Sequence, residues 1–366
     1  MTPLRVGIVG IGNISGIYFK NLGSYRSTQI VAVADLDTSR ADAAAAKYGI
    51  PNSLTVDQLL AHPDVDLVLN LTIPKAHGPI GLQAVAAGKH VYNEKPLSTE
   101  LESARQLVEA AKAKGLRVGC APDTFLGAGL QTARKAIDAG EIGTPIGAQG
   151  NMLARGPEPW HPNPEFFYKP GGGPMLDMGP YYMTALVSLL GPVRRVAGLA
   201  RASFPTRTVG SGALKGNVIQ VETPTHFVGG LEFVQGALGQ TQLSFDVYHS
   251  WADHPIVIFG SEGTMRVPDP NTFGGDVTVR RHNEEDWRVI PNTHGFAEDS
   301  RGLGVLDIAH AISENRPHRA SGDLALHVLE IMLAFERSST EGRHIELNPT
   351  IDRPAPMGET EFADDL

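Results

Sequence analysis

Gly10-Ile11-Gly12-Asn13-Ile14-Ser15-Gly16 is the first stretch of this chain whose residue types can do chemistry. It follows a short apolar run and leads into a helical pattern. In such a turn Gly10 permits the sharp reversal and Gly12 lets the backbone approach a pyrophosphate. The helix opening at Asn13 and Ile14 presents unbonded N–H groups to that anion. The third fingerprint position holds Ser15 in place of glycine, small enough to keep helix and strand close. A glycine motif alone is also an ordinary strand-to-helix turn, so its context decides. Asp35 lies 20 residues after Ser15, at the end of the next apolar run. A carboxylate there accepts hydrogen bonds from ribose hydroxyls. Its charge repels a 2′-phosphate, which favours NAD over NADP. Arg40, in the following helix, is either a partial counterweight to that preference or a solvated helix residue.

These residues need a frame that holds them at one edge. Residues 5–9, 30–34, 66–71, 89–92 and 117–120 are apolar runs of strand length. Between them, residues 14–25, 38–48, 79–87 and 99–114 have helical spacing. Continuous apolar strands alternating with helices predict a parallel sheet covered on both faces, with right-handed crossovers. From about residue 147 the chain becomes richer in Gly, Pro and Thr. Strand-like runs at 193–202, 225–234, 236–245, 256–259 and 276–281 follow one another without helices, which predicts a mostly antiparallel sheet. Helical patterns return at 303–314 and 322–338. The expected class is α/β, with a dinucleotide-binding domain over 1–121 and a substrate-binding and oligomerisation domain over 122–348. An acidic, proline-containing tail over 349–366 is expected to be loose.

The chain has 366 residues, enough for about two domains. Lys plus Arg total 31 against 40 Asp plus Glu, a net charge of −9 that suits no phosphate backbone. No nucleic-acid or membrane partner is expected. Apolar residues make up 42%, which excludes wholesale disorder. A single cysteine, Cys120, excludes a disulfide framework. The 13 histidines include no spacing that pairs two metal ligands on a helix, so no metal is expected. The opening residues lack the long apolar region of a signal peptide, and a cytoplasmic location is expected.

Two further motifs sharpen the picture. One is Gly88-Lys89-His90-Val91-Tyr92-Asn93-Glu94-Lys95-Pro96; the other is Gly171-Gly172-Gly173-Pro174-Met175-Leu176-Asp177-Met178-Gly179-Pro180-Tyr181-Tyr182. With the glycine turn, Thr72-Ile73-Pro74 with His77, and Gly260-Ser261-Glu262-Gly263-Thr264, they resemble the Gfo/Idh/MocA oxidoreductases. That family includes glucose–fructose oxidoreductase and inositol dehydrogenase. The resemblance covers most of the chain. It implies a Rossmann domain followed by an α/β domain with a large open sheet, which commonly builds homodimers or homotetramers. It implies cofactor contacts at Thr72, Pro74, His77, Glu94 and Lys95. The family's catalytic Lys maps on Lys95, its Asp on Asp177, and its His on Tyr181, a departure shared with some members. Lys95, Asp177 and Tyr181 are thus the catalytic candidates, and they are also placed against the substrate. Adjacent Tyr182 is an alternative acid/base.

Oxidising a secondary alcohol takes a hydride from carbon and a proton from oxygen. A free tyrosine has a pKa near 10, and a neighbouring ammonium lowers it by stabilising the phenolate. Lys95 could supply that ammonium or offset alkoxide charge directly. Further substrate candidates are Arg155, Trp160 and His161, since a Trp face stacks on a sugar ring while Arg and His bond hydroxyls. The same loop could instead be plain packing. Asp123, beside Thr124, is also placed against substrate, and where the family often has basic residues this acidic and hydroxyl pair hints at a neutral polyol. The expected function is NAD-dependent hydride transfer with a sugar, cyclitol or related carbohydrate. An NAD-cycling, glycoside-cleaving enzyme and a non-catalytic NAD sensor are the alternatives.

Overall fold

The computed structural model describes residues 1–250 and 254–365. The chain forms two compact units. The first contains residues 1–127, 294–326 and 357–366, and the second contains 128–293 and 327–356. Among the described residues no helix is long and apolar enough to cross a membrane.

The first unit alternates strand and helix: β1 (Leu4–Val9), α1 (Ser15–Leu22), β2 (Thr28–Ala34), α2 (Thr38–Tyr48), β3 (Asn52–Leu54), α3 (Val56–Ala61), β4 (Leu67–Asn70), α4 (Pro74–Ala86), β5 (His90–Asn93), α5 (Leu101–Ala113) and β6 (Val118–Cys120). Local chemistry fixes several ends. Asp37 caps α2 by accepting from the Ser39 N–H at 3.1 Å, and Gly49 closes it at φ 67°. Thr55 and Gln58 form a reciprocal capping box on α3. The six parallel strands run in the order β3-β2-β1-β4-β5-β6. The chain winds outward from β1 in one direction and from β4 in the other, so the β1/β4 junction is the point where ligands bind in such sheets.

Register makes that edge straight. Val9 pairs with Ala34 and with Asn70, Asn70 with Asn93, and Asn93 with Cys120. Asp35, Gly10, Leu71, Glu94 and Ala121 therefore leave the sheet side by side. Val6, Ile8, Ala32, Leu67, Val68 and Leu69 are wholly buried beneath them. Short apolar strands covered on both faces explain why they were visible as continuous hydrophobic runs.

The second unit begins with α6 (Ala128–Asp138), β7 (Pro145–Leu153), α7 (Gly173–Asp177) and α8 (Gly179–Leu190). A nine-stranded sheet follows, with β8 (Val193–Arg201), β11 (His226–Phe233), β12 (Leu238–Ser244), β13 (Ile256–Gly260), β14 (Gly263–Val267), β15 (Val277–Arg281), β16 (Arg288–Ile290) and β17 (Ile345–Glu346) joining β7. The short hairpin β9 (Thr206–Thr208) and β10 (Val218–Gln220) stands apart. The pairings of the nine-stranded sheet are antiparallel except β7 with β12. The expected α/β class, a Rossmann parallel sheet followed by a domain with a mostly antiparallel sheet, is what the structure has. The helices between residues 147 and 193 were not expected. Every residue of α8 is buried, so it carries no polar–apolar period to read.

Two boundaries differ from expectation. Helix α9 (Leu303–Ser313) belongs to the first unit, because Asp123 accepts hydrogen bonds from the Gly302 and Gly304 N–H groups at its opening. Beyond it, the Cys120 N–H donates to the Ala320 carbonyl at 3.1 Å. Helix α10 (Gly322–Glu341) then passes from the first unit to the second. The described part of the tail is not loose either. Asp365 accepts from the Ser27 N–H at 2.8 Å, and the buried Phe362 ring lies 4.7 Å from that of His310.

Candidate active site

The glycine turn meets the geometry required of it. Gly10 has φ +95°, and a Cβ there would stand 2.8 Å from the backbone of Leu71 and Thr72. Gly12 opens the other way, with nothing within 4 Å of a Cβ position. Asn13 is exposed and Ile14 half-buried. No side chain caps α1, so its first-turn N–H groups face outward for an anion. Ser15 is buried and donates from Oγ to the Gly12 carbonyl at 2.7 Å, which closes the turn where glycine would otherwise pack.

Asp35 is half-exposed and already holds the loop. One oxygen accepts from the Ile11 N–H at 2.6 Å and the other from the Asp37 N–H at 2.9 Å. Its outward lone pairs leave room for ribose hydroxyls. Sequence reasoning missed Leu36, 97% exposed beyond β2, and Ile73, 69% exposed beyond β4. Large apolar side chains in solvent on either side of the glycine turn fit the faces of a planar base. The residues present thus fit a dinucleotide.

The loop after β5 is held from beneath. Buried Glu94 accepts from the Tyr18 hydroxyl at 2.8 Å and from the Lys95 N–H at 2.8 Å. Burial, reinforced by the Glu94 charge, pushes the Tyr18 hydroxyl well above its ordinary pKa, so it remains a donor. His77, expected against the cofactor, is 1% exposed. Its ring nitrogens face the Pro96 carbonyl at 2.7 Å and the Thr72 carbonyl at 3.0 Å. It therefore ties the loop after β4 to the Lys95 loop, acting through them and not by contact. Burial pulls its pKa down while the two carbonyls oppose that shift. Thr72, half-buried, donates to Asn70 Oδ1 at 2.6 Å, and Asn70 donates to Asn93 Oδ1 at 3.1 Å. Pro74 opens α4 at its first position, where a missing N–H costs nothing.

Asp123 does not face substrate. It is 1% exposed and caps α9, with both bonds at 2.9 Å. Burial raises its carboxyl to about 6 against the pull of those two N–H groups. Thr124 is buried too, so the inference of a neutral polyol from this pair has no footing.

In the second unit, Asp177 ends α7 and Tyr181 lies in the first turn of α8. Met178 between them stays near-helical at φ −106° and ψ −25°. Its N–H donates to Pro174 O and its carbonyl accepts from Tyr181. The four-residue spacing therefore puts Asp177 and Tyr181 on one face. Gly173, at φ +82°, brings the chain there by passing close to the Pro224 carbonyl. Tyr182 turns its ring towards Gly150 of β7. Burial and the charge of Asp269 push its hydroxyl far above the usual value, so it stays protonated. Trp160 is 67% exposed, with His161 edge-on at 5.5 Å between ring centroids. His161 also meets Phe166 and Phe167, both at 5.4 Å, in an aromatic cluster that reaches Phe245. The Asn163 N–H donates to His161 Nδ1 at 3.1 Å, which leaves Nε2 as the protonated nitrogen of the neutral ring.

A doubly wound sheet with a pyrophosphate turn, a ribose carboxylate and a lysine at one edge defines a nicotinamide-dependent oxidoreductase. The comparisons give the family. Residues 4–121 match the family model described as "Oxidoreductase family, NAD-binding Rossmann fold", and residues 130–266 match the "GFO/IDH/MocA C-terminal domain". The chain is 30% identical over 352 residues to 1,5-anhydro-D-fructose reductase of Ensifer adhaerens, covering 94% of this chain and 98% of that protein. It is 25% identical to scyllo-inositol 2-dehydrogenase (NAD(+)) of Bacillus subtilis, covering 94% and 96%. The apo structure of levoglucosan dehydrogenase superposes with a TM-score of 0.83 at 20% identity, over 96% of this chain and all of that one. The chain belongs to the Gfo/Idh/MocA family of oxidoreductases, and its cofactor is NAD.

Proposed function

We propose that the chain is an NAD-dependent dehydrogenase for a secondary alcohol of a sugar, cyclitol or related carbohydrate. The observation that carries this is the common edge of the first sheet. The glycine turn, Asp35 and the Lys95 loop all leave strands that end in register. The substrate class is supported by the relatives, one named a reductase of 1,5-anhydro-D-fructose and one a dehydrogenase of scyllo-inositol.

Bound NAD supplies the hydride acceptor. The chain's own side chains manage charge and the proton. The Lys95 ammonium holds the reacting oxygen and offsets its developing negative charge. Tyr181 takes the hydroxyl proton. Asp177 orients the substrate. Trp160 stacks on the sugar ring, while His161 and Arg155 bond its substituents. The exposed Leu199 and Leu238 on the second sheet support homodimer or homotetramer formation through that face. The single cysteine, buried and free, supports a reducing, cytoplasmic location.

The test is NADH formation, followed by its absorbance, across monosaccharides, inositols and glycosides. Turnover of at least one neutral or charged sugar is expected, with loss in Lys95→Ala. Absence of turnover across the panel, or a hit that Lys95→Ala leaves untouched, overturns the assignment.

A further inference from the structure

Two arginines share one cluster in the second unit, and among the described residues they differ in how their donors are engaged. Arg207 is 1% exposed at its side chain. It donates to Glu158, to Asp246 at 2.7 Å, and to the carbonyls of Arg155 and Phe245. Both carboxylates have further donors, since Tyr168 bonds Glu158 and Thr225 bonds Asp246 at 2.7 Å. Arg155 is half-buried. Its Nε and Nη1 are shut off from solvent and find no acceptor among the described residues. Its guanidinium lies over two rings, 4.5 Å from the Tyr248 centroid and 5.0 Å from that of Phe204.

Stacking fixes the plane of a guanidinium but satisfies none of its N–H groups. A desolvated cation with bare donors is costly unless something binds it. The cluster's own carboxylates are committed to Arg207. Tyr248, one of the two rings against the fork, is 70% exposed. The cluster is also continuous with the proposed sugar platform. Arg207 lies 5.1 Å over Tyr168, Tyr168 lies 6.3 Å from Phe245, and Phe245 lies 6.2 Å from Phe167, which meets Trp160 at 6.5 Å.

We propose that Arg155 binds an oxyanion carried by the substrate, a carboxylate or a phosphate, so that the enzyme selects an acidic sugar over its neutral parent. This deepens the proposed function and rests on it. The planar fork matches either group through paired, charge-assisted hydrogen bonds.

The full chain with saturating NAD is assayed on D-glucuronate, D-glucose 6-phosphate and D-glucose. The expected result is a kcat/KM for one of the anions about 10-fold or more above D-glucose. That ratio falls on the order of 100-fold in Arg155→Gln, mainly through KM. Which anion wins identifies the source. D-glucose used as well as both anions, with the ratio unmoved by Arg155→Gln, overturns the proposal and leaves the dehydrogenase assignment standing. Where none of the three reduces NAD, calorimetric titration of both anions decides. Binding to the wild type that Arg155→Gln abolishes sustains the site, and absence of binding overturns it. Thermal unfolding separates a structural role. Arg155→Met keeps the stacking and removes bare donors, so Tm stays level or rises; a fall of about 5 °C or more overturns the proposal.

Discussion

The two units engage their polar groups differently. At the edge of the first sheet the functional groups are bonded to the chain itself. Asp35 holds Ile11 and Asp37, Glu94 holds Tyr18 and Lys95, and His77 joins Thr72 to Pro96. In the second unit Arg155 Nε and Nη1 and Asn151 Oδ1 are buried and find no partner among the described residues. A cofactor of fixed shape is served by an edge that needs no rearrangement. Substrate selection rests on groups left for the ligand to satisfy, because a site rejects an analogue most strongly when its own buried polar groups would then be unpaired.

Lys95 gives the sharpest test of this contrast. Its loop is held through its backbone N–H by Glu94, so Lys95→Met should leave the fold intact. The expected loss is about 1000-fold or more in kcat at saturating NAD, with Tm nearly unchanged. A large fall in Tm with a small fall in rate would make Lys95 a structural residue and break the comparison. Glycine 10 comes next. A methyl group there meets the backbone of Leu71 and Thr72 at 2.8 Å, in a conformation that L-residues avoid. Gly10→Ala should cost about 3 kcal/mol in unfolding free energy and most NAD affinity. Chemical denaturation and NAD titration would show both. Normal NAD binding would mean the turn is less rigid than its hydrogen bonds suggest.

How much of this was legible depends on the range of the interaction. The predicted helix over 38–48 coincides with α2, because its cap and its C-terminal glycine are local. β1, β2 and β4 were legible because buried parallel strands are continuously apolar. β3 and α3, with 3 and 6 residues, are too short to show a period. Asp123 was misread because its partners, Gly302 and Gly304, lie about 180 residues away in sequence, as their separations of 179 and 181 record. The bare guanidinium of Arg155 has no sequence signal at all. Nothing in a string of letters says that both nearby carboxylates already belong to Arg207.

Asp35 tests whether a bonded group can still select its ligand. Asn cannot accept through both side-chain positions, so Asp35→Asn gives up one of the bonds to Ile11 and Asp37 and the repulsion of a 2′-phosphate. KM for NAD should rise roughly 10-fold while the NADP-to-NAD ratio of kcat/KM increases. An unchanged ratio would confine Asp35 to holding the loop.

The smallest expected effect is a pH dependence of stability from Asp123. Its carboxyl is raised by burial to about 6, and the Glu94 charge adds to the shift while the two N–H groups of α9 and the Arg301 charge oppose it. In the unfolded chain it returns to roughly 4. Between those values the folded protein binds the extra proton, so this contribution is fully present below about pH 4 and is lost as pH rises through about 6. Paired carboxylates such as Asp66, held low by Arg5, act with the opposite sign. The comparison that isolates Asp123 is therefore the stability of the wild type minus that of Asp123→Asn, measured by denaturation at several pH values. That difference should fall with rising pH across the window and then level off. A flat difference would mean that the opening of α9 holds Asp123 ionised throughout, and that even a carboxylate this deeply buried is fully compensated by its backbone partners.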